Sequence, residues 1–230
     1  MRQRKAKDME ERMANCGDLM IKQPSPDSWD DCFPDRNRDL YLEIGCGKGQ
    51  FIVQKAMAEQ DRNFIAIEGQ ETVILRALEK TAAACGRQIK NDKIQISEEQ
   101  REIPNLKFVC AFVNEMSEFF REGQLAGIYL NFSDPWPKAR HAKRRLTYRE
   151  RLKDYAWALK DGGFIEIKTD NDGLFDFTLE EIEATPFEIV EQTRDLHGSE
   201  YESRNFMTEY EEKFKGTGKN INYVKVIIHK

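Results

Sequence analysis

No stretch of this 230-residue chain is apolar over anything near the ~18 residues that a membrane-crossing helix needs, so no membrane-spanning helix is expected. A secretory leader is lacking as well. The basic start, Met1 to Lys7, runs into Asp8-Met9-Glu10-Glu11 and not into an apolar stretch, which makes a cytoplasmic location the expectation. Histidine is scarce: His141, His197 and His229 are too scattered for a metal cluster, and no zinc signature accompanies them, so no metal is expected. The five cysteines are odd in number and contain no C-x-x-C, which fits reduced thiols better than a disulfide framework. Repeats and low-complexity tracts are missing, and the length is too short for two full α/β domains.

Excess positive charge is also absent. The net charge of −5 taken alone argues against a nucleic-acid partner. Its distribution argues the other way, because Lys138, Arg140, Lys143, Arg144, Arg145, Arg149, Arg151 and Lys153 crowd one short stretch. Arg2, Arg4, Lys5 and Lys7 form a second basic cluster, while pairs such as Glu180-Glu181 and Glu211-Glu212 supply acid elsewhere.

Residues 1–38 hold Pro24, Pro26 and Pro34 with little periodicity, and read as a basic, partly flexible N-terminal arm. From residue 39 to 230 the pattern is that of a single domain. Strands are expected at 39–44, 63–68, 106–113, 126–132, 164–168, 187–193 and 222–228. Helices are expected at 50–59, 71–85, from Glu115 towards Gly123 with Asn114 as cap, at 148–159 with Thr147 as cap, at 173–184, and over 206–215. Residues 87–105 read as an exposed polar loop, and Gly162-Gly163 as a break before a strand. Alternating strands and helices predict an α/β fold, a mostly parallel seven-stranded sheet with helices on both faces. Ligands of such sheets sit at the carboxyl ends of the strands.

Glu43-Ile44-Gly45-Cys46-Gly47-Lys48-Gly49 follows the first strand and opens a helix. It is not a nucleoside-triphosphate loop, since Lys48 is not followed by Ser or Thr, and its third glycine comes one residue early for a dinucleotide loop. A ligand without phosphates needs close backbone approach and a carboxylate for a cationic amino-acid end, a task that suits Glu43. Glu68 ends the second strand, where a carboxylate can accept both hydrogens of a ribose diol. This arrangement resembles the cofactor site of Rossmann-like class I methyltransferases. The resemblance implies S-adenosylmethionine, with its methionine end at Glu43, Gly45, Gly47 and Gly49, its ribose on Glu68 and its adenine near Asn114.

After the fourth strand comes Asn131-Phe132-Ser133-Asp134-Pro135-Trp136-Pro137-Lys138. Two prolines stiffen this loop and hold Asp134 and Trp136 in set positions, where a carboxylate can bond a base edge and a ring can stack on its face. His141-Ala142-Lys143-Arg144-Arg145 follows, able to neutralise phosphates. These segments, with Lys168-Thr169-Asp170 and Thr208-Glu209-Tyr210-Glu211 in the same order, resemble the bacterial tRNA (guanine-N7)-methyltransferase family over about residues 39–230. The resemblance implies Asp134 as the catalytic-site acid near both cofactor and base. It also implies Lys138, Asp170, Thr208, Glu209, Tyr210 and Glu211 as substrate contacts, and Arg140, His141, Lys143, Arg144 and Arg145 as RNA contacts. The implied substrate is a guanine in the tRNA variable loop, and the implied enzyme a monomer or homodimer. The family position matching Asn114 is usually Asp, and 87–105 reads as an insertion.

Guanine N7 carries a lone pair and no proton, so no general base is required, and Asp134 with Glu211 is expected to hold the donor edge of the base and favour the cation formed. Three other readings compete. The Asp-Pro-Trp-Pro loop is similar to the loop that orients an exocyclic amine in amino-group methyltransferases. An RNA-binding subunit with a relic cofactor fold is a second, and a nicotinamide-dependent dehydrogenase, disfavoured by the glycine spacing, is a third.

Overall fold

The computed structural model describes residues 8–90, 93–96, 102–215 and 218–230. The basic cluster Arg2, Arg4, Lys5 and Lys7, and residues 91–92 and 97–101 of the polar stretch, lie outside the described residues.

Alternation within the first strand sets the layers. In β1 (Leu40–Ile44) every residue is buried, as a strand covered on both faces requires. Leu42 and Ile44 enter one apolar cluster, and Tyr41 enters the other. The parallel neighbours are β2 (Asn63–Glu68) on one side, with β5 (Leu106–Cys110) beyond it, and β6 (Leu125–Asn131) on the other, with β7 (Leu159–Thr169) beyond it. β9 (Asn222–Ile228) runs antiparallel to β7 and to the edge strand β8 (Phe187–Thr193). The sheet order is therefore β5-β2-β1-β6-β7-β9-β8, mostly parallel with one antiparallel end. One face packs on α2 (Gln50–Ala58) and α3 (Glu71–Ala84), through Ile52, Ile74 and Leu78. The other packs on α4 (Arg149–Ala158) and α5 (Asp172–Glu183), through Leu152, Tyr155, Phe175 and Ile182. The short helix α6 (Glu209–Lys215) precedes β9.

The proline-bearing N-terminal segment lies against the sheet domain. Its helix α1 (Met9–Ala14) ties to α3 through Arg12 and Glu79, Met20 bridges to Phe108, and Arg121 pairs with Asp27 and Asp30. Trp29 is buried, stacks on Phe120 at 5.5 Å and donates its indole N–H to the carbonyl of Phe119 at 2.6 Å.

Six local expectations are corrected. β5 stops at Cys110, and the segment from Glu115 forms only a 3-10 turn, Met116–Glu118. Met116, Phe119 and Phe120 are all buried, so burial accounts for the apolar spacing that suggested a longer helix. The backbone N–H of Met116 is satisfied by Asp154 at 2.9 Å, not by an Asn114 cap. Thr147 does not cap α4 either: its buried hydroxyl accepts from Thr178 at 2.8 Å, and Glu181 receives the N–H of Arg149 at 2.6 Å. Gly162 and Gly163 lie within β7, where the register to β6 jumps from Leu125↔Leu159 to Gly127↔Phe164, an irregularity glycine accommodates with φ 70° at Gly162. In the polar stretch, β3 (Arg87–Lys90) and β4 (Lys93–Ile96) pair antiparallel.

Candidate active site

Because β1 and β6 are adjacent and parallel, the loops at their carboxyl ends open on the same edge of the sheet. Two cavities meet there, of about 330 and about 480 Å³, and they share Gly45, Val73, Asn131 and Phe132. The smaller is lined by Glu43, the glycine loop, Thr208, Glu209 and Tyr210. The larger is lined by Glu68, Gly69, Phe112, Asn114, Asp134, Trp136 and Arg144. The glycine turn and the proline-stiffened loop thus face one shared cleft.

Glu43 is the most deeply buried charged side chain lining the cleft. It is 1% exposed, and its Oε1 accepts from the side-chain amide of Asn131 at 2.8 Å. Its Oε2 is buried without a partner. A buried acceptor left unpaired carries a desolvation cost, so it marks a place prepared for a donor. Burial pushes the carboxyl up to about 7, against the opposing pull of the Asn131 bond and of Lys168.

The glycine loop is built for close approach. Gly45, Gly47 and Gly49 have φ of 75°, 58° and 78°, in the region that disfavours side chains. A Cβ at Gly45 or Gly47 would meet nothing within 4 Å, so the space above them is open to a ligand. Glu68 supports the loop, accepting from the N–H of Gly47 at 3.1 Å and of Gln70 at 2.9 Å.

Asp134 is exposed and has no hydrogen-bond or ion-pair partner among the described residues. The backbone two residues to either side of it is left-handed, with φ 51° at Phe132 and 40° at Trp136. Bulky residues rarely take this conformation, and such outliers concentrate at ligand-handling sites. The strain is held in place from behind. Arg145 donates from Nε to the carbonyl of Pro135 at 2.9 Å and from Nη2 to that of Trp136 at 3.1 Å, and its guanidinium lies 4.1 Å from the Phe177 ring. Arg144 instead lies over the Trp136 ring at 4.9 Å, and His141 meets that ring edge-on at 5.7 Å.

The sequence-predicted residues divide accordingly. Glu43, Gly45, Gly47, Gly49, Glu68, Asn114, Asp134, Thr208, Glu209, Tyr210 and Arg144 line the two cavities. Asp170 is reached through Tyr210, whose hydroxyl donates to it at 3.2 Å. Lys138, Arg140 and Lys143 are exposed beside the loop and point the charge of that stretch outward. Arg145 does not join them, since its donors serve the loop carbonyls. Glu211 lies outside both cavities, fully buried. It bonds Lys168 Nζ at 2.9 Å and Asn205 Nδ2 at 2.7 Å, and forms a capping box with Thr208, whose hydroxyl accepts the N–H of Glu211 at 3.0 Å. The expected hold of Glu211 on a base edge is therefore revised: its carboxylate fixes the start of α6. Glu209 bridges Lys48 at 3.0 Å and Lys80 at 2.5 Å. Burial pushes its carboxyl up, but the two ammonium groups outweigh this and hold it below the usual range.

Asn131, Lys168 and Arg151 stand in the quoted motifs or the basic stretch, but the sequence alone assigns none of them a role in the site. The guanidinium of Arg151 donates to the carbonyls of Val113 and Asn114 at 2.8 and 2.5 Å. Asn131 had a usable signal, since it ends the strand next to Glu43. A buried lysine has none until its partner is known. Among the described residues no group of three or more potential metal ligands occurs, and no helix is long and apolar enough to cross a membrane.

Residues 37–224 match the family described as "Putative methyltransferase". A tRNA (guanine-N(7)-)-methyltransferase of Mesoplasma florum is 46% identical over 213 residues, covering 88% of this chain and 90% of its own. One from Brevibacillus brevis is 42% identical, covering 86% and 84%, and one from Streptococcus pyogenes is 38% identical, covering 98% and 99%. Among solved structures, an antibiotic-related methyltransferase superposes with a TM-score of 0.56 at 16% identity over 99% and 97% of the two chains. The 16S rRNA methyltransferase KamB does so with 0.56 at 11% identity over 84% and 88%. At these identities the structural likeness speaks for the fold alone, that of class I methyltransferases.

Proposed function

The chain belongs to the tRNA (guanine-N(7)-)-methyltransferase family, and from that premise we propose that it transfers the methyl group of S-adenosylmethionine to N7 of a guanine in the tRNA variable loop. The observation that carries the cofactor half is the orphaned Oε2 of Glu43 beside a glycine loop with open space above it. The residues fit the group. Glu43 offers a buried acceptor to an α-ammonium, Gly45 and Gly47 admit the chain of the amino acid, and Glu68 offers its remaining lone pairs to a diol. When bound, S-adenosylmethionine supplies an electrophilic methyl carbon on a sulfonium.

The protein's part is orientation. N7 of guanine is an acceptor without a proton, so no side chain has to remove one. Placing the base in line with the methyl carbon lowers the barrier mainly through lost freedom already given up on binding. Asp134, exposed on a loop clamped by Arg145, accepts from the donor edge of the base. Its charge favours the purinium cation that develops as the methyl arrives. Trp136, with Arg144 on its face, forms the wall beside it. Lys138, Arg140, His141 and Lys143 meet phosphates of the RNA. Thr208, Glu209 and Tyr210 form the roof of the smaller cavity, held at the correct height by the Lys168–Glu211 pair.

The test is to incubate bulk unmodified tRNA with the protein and methyl-labelled S-adenosylmethionine, digest it, and identify the labelled nucleoside. 7-Methylguanosine mapped to the variable loop is the expected product. Label in an adenine or cytosine amino group would install the amino-group methyltransferase reading instead. Asp134→Asn is expected to keep cofactor binding and lose most turnover.

A further inference from the structure

Phe112 is 69% exposed, the most exposed large apolar side chain among the described residues. Single exposed apolar residues are ordinary on a protein surface, so exposure alone decides nothing. Its surroundings do. The ring lies directly on Gly69: a Cβ at that glycine would stand 2.2 Å from Phe112 Cε1 and 2.5 Å from Cδ1 and Cζ. Gly69 follows Glu68 in sequence, and both line the same about 480 Å³ cavity as Phe112. One side of the ring is seated on backbone, and the remainder is open at the cavity wall.

The order of the site along the strand ends supports a role for that ring. Glu43 and the glycine loop take the amino-acid end of the cofactor, and Glu68 contacts the loop through Gly47 and takes the ribose. The base of a nucleoside is attached one ring carbon from its diol, so it falls beyond Glu68, on the side of Gly69 and Phe112. Resting on the cofactor reading given above, we propose that Phe112 is the stacking platform for the adenine of S-adenosylmethionine, and that Gly69 is the seat that lets its ring lie flat against the strand end. A base–aromatic stack tolerates any ring with a π face and is lost when the ring is lost.

The experiment is calorimetric titration of S-adenosylmethionine and S-adenosylhomocysteine into the purified full chain and its Phe112→Ala, Phe112→Trp and Gly69→Ala variants, with the tRNA KM measured alongside. Phe112→Ala is expected to weaken both ligands about tenfold, the range seen when a base loses its stacking partner, while Phe112→Trp stays within about threefold. Gly69→Ala keeps the ring but forces a methyl into its seat, and is expected to weaken both ligands too. Unchanged melting midpoints for the Phe112 variants accompany this, because the ring is mostly outside the core. Wild-type affinity in Phe112→Ala overturns the proposal, as does a raised tRNA KM with unchanged cofactor affinity, which would give the ring to the RNA. Failure of the wild-type protein to bind either ligand would instead remove the cofactor reading beneath it.

Discussion

Asn131 bonds one oxygen of Glu43 at 2.8 Å and leaves the other buried and bare. The two residues sit on adjacent strands at the carboxyl edge of the sheet, so the amide engages one carboxylate oxygen and leaves the other unpartnered on a residue that lines the smaller cavity. This half-satisfied pair gives the site a pH signature.

Burial lifts Glu43 from its ordinary value of 4.5 to about 7. A cationic ammonium binds the ionised form, so cofactor affinity is expected to rise with pH, by at most about tenfold per unit, and to level off above about pH 7. Calorimetry in buffers of different ionisation heat should show a proton released on binding below that pH. The same raised value means that the folded protein without ligand holds this proton where the unfolded chain has lost it. The stability it contributes is thus full below about pH 4.5 and lost as the pH rises through about 7. Glu43→Gln should weaken cofactor binding and flatten its pH profile; an unchanged profile would show that Glu43 does not hold the ammonium.

Arg145 and Lys143 stand two residues apart in one basic run, yet the structure gives them different work. Arg145→Lys keeps the charge but loses the fork that holds two carbonyls at once. It is expected to lower kcat about ten- to hundredfold through a loosened Asp134 loop, with the salt dependence of tRNA binding unchanged. Lys143→Ala should leave kcat nearly intact, raise the tRNA KM, and reduce the slope of log affinity against log salt by about 1. Equal effects of the two on that slope would return Arg145 to the RNA-facing set.

The difference between those two arginine and lysine side chains marks the limit of what the chain shows unaided. Strands such as Leu40–Ile44 and Asn63–Glu68 were legible because burial on both faces writes a nearly continuous apolar run, and the cleft was legible because Glu43, Glu68 and Asp134 each sit at or just beyond a strand end. What stayed hidden depends on partners distant in sequence. On sequence Glu211 is expected at the donor edge of the base, and the burial that engages it is hidden until Lys168, 43 residues earlier, is found against it. The Met116–Phe120 segment carries helical spacing, but Asp154 takes the N–H of Met116 and the apolar residues turn to a wall formed by Trp29. Left-handed backbone at Phe132 and Trp136 has no signature in residue type at all.

The Lys168–Glu211 pair is buried at both ends, with side chains 5% and 0% exposed. Removing one partner strands the other charge, so Glu211→Ala or Lys168→Ala is expected to cost about 3–5 kcal/mol in urea unfolding. The joint change Lys168→Met with Glu211→Leu should cost less than either alone, because no charge is then left uncompensated. Glu211→Gln separates this role from a direct one at the base: loss of turnover at full stability would mean that Glu211 meets substrate after all, whereas a lowered urea midpoint fits the positioning role.

Gly49 closes the glycine loop and opens α2, and two independent constraints meet on it. Its φ is 78°, and a Cβ there would stand 2.8 Å from Ala77 Cβ and 3.3 Å from Ala77 Cα on the facing helix α3. Gly49→Ala is therefore expected to destabilise the fold by about 2–4 kcal/mol, adding left-handed backbone strain to a helix–helix overlap. Gly45→Ala meets the backbone term alone, since nothing lies within 4 Å of its Cβ, and should cost only about 1 kcal/mol while still obstructing the cofactor. The two terms at Gly49 can be separated by pairing Gly49→Ala with Ala77→Gly, which removes the facing methyl. Allowing about 1 kcal/mol for a new glycine inside α3, the overlap should show as a favourable coupling in the double-mutant cycle, with the backbone strain remaining. A coupling of zero would mean that α2 and α3 separate freely at this point, and that the loop's shape is set by φ alone.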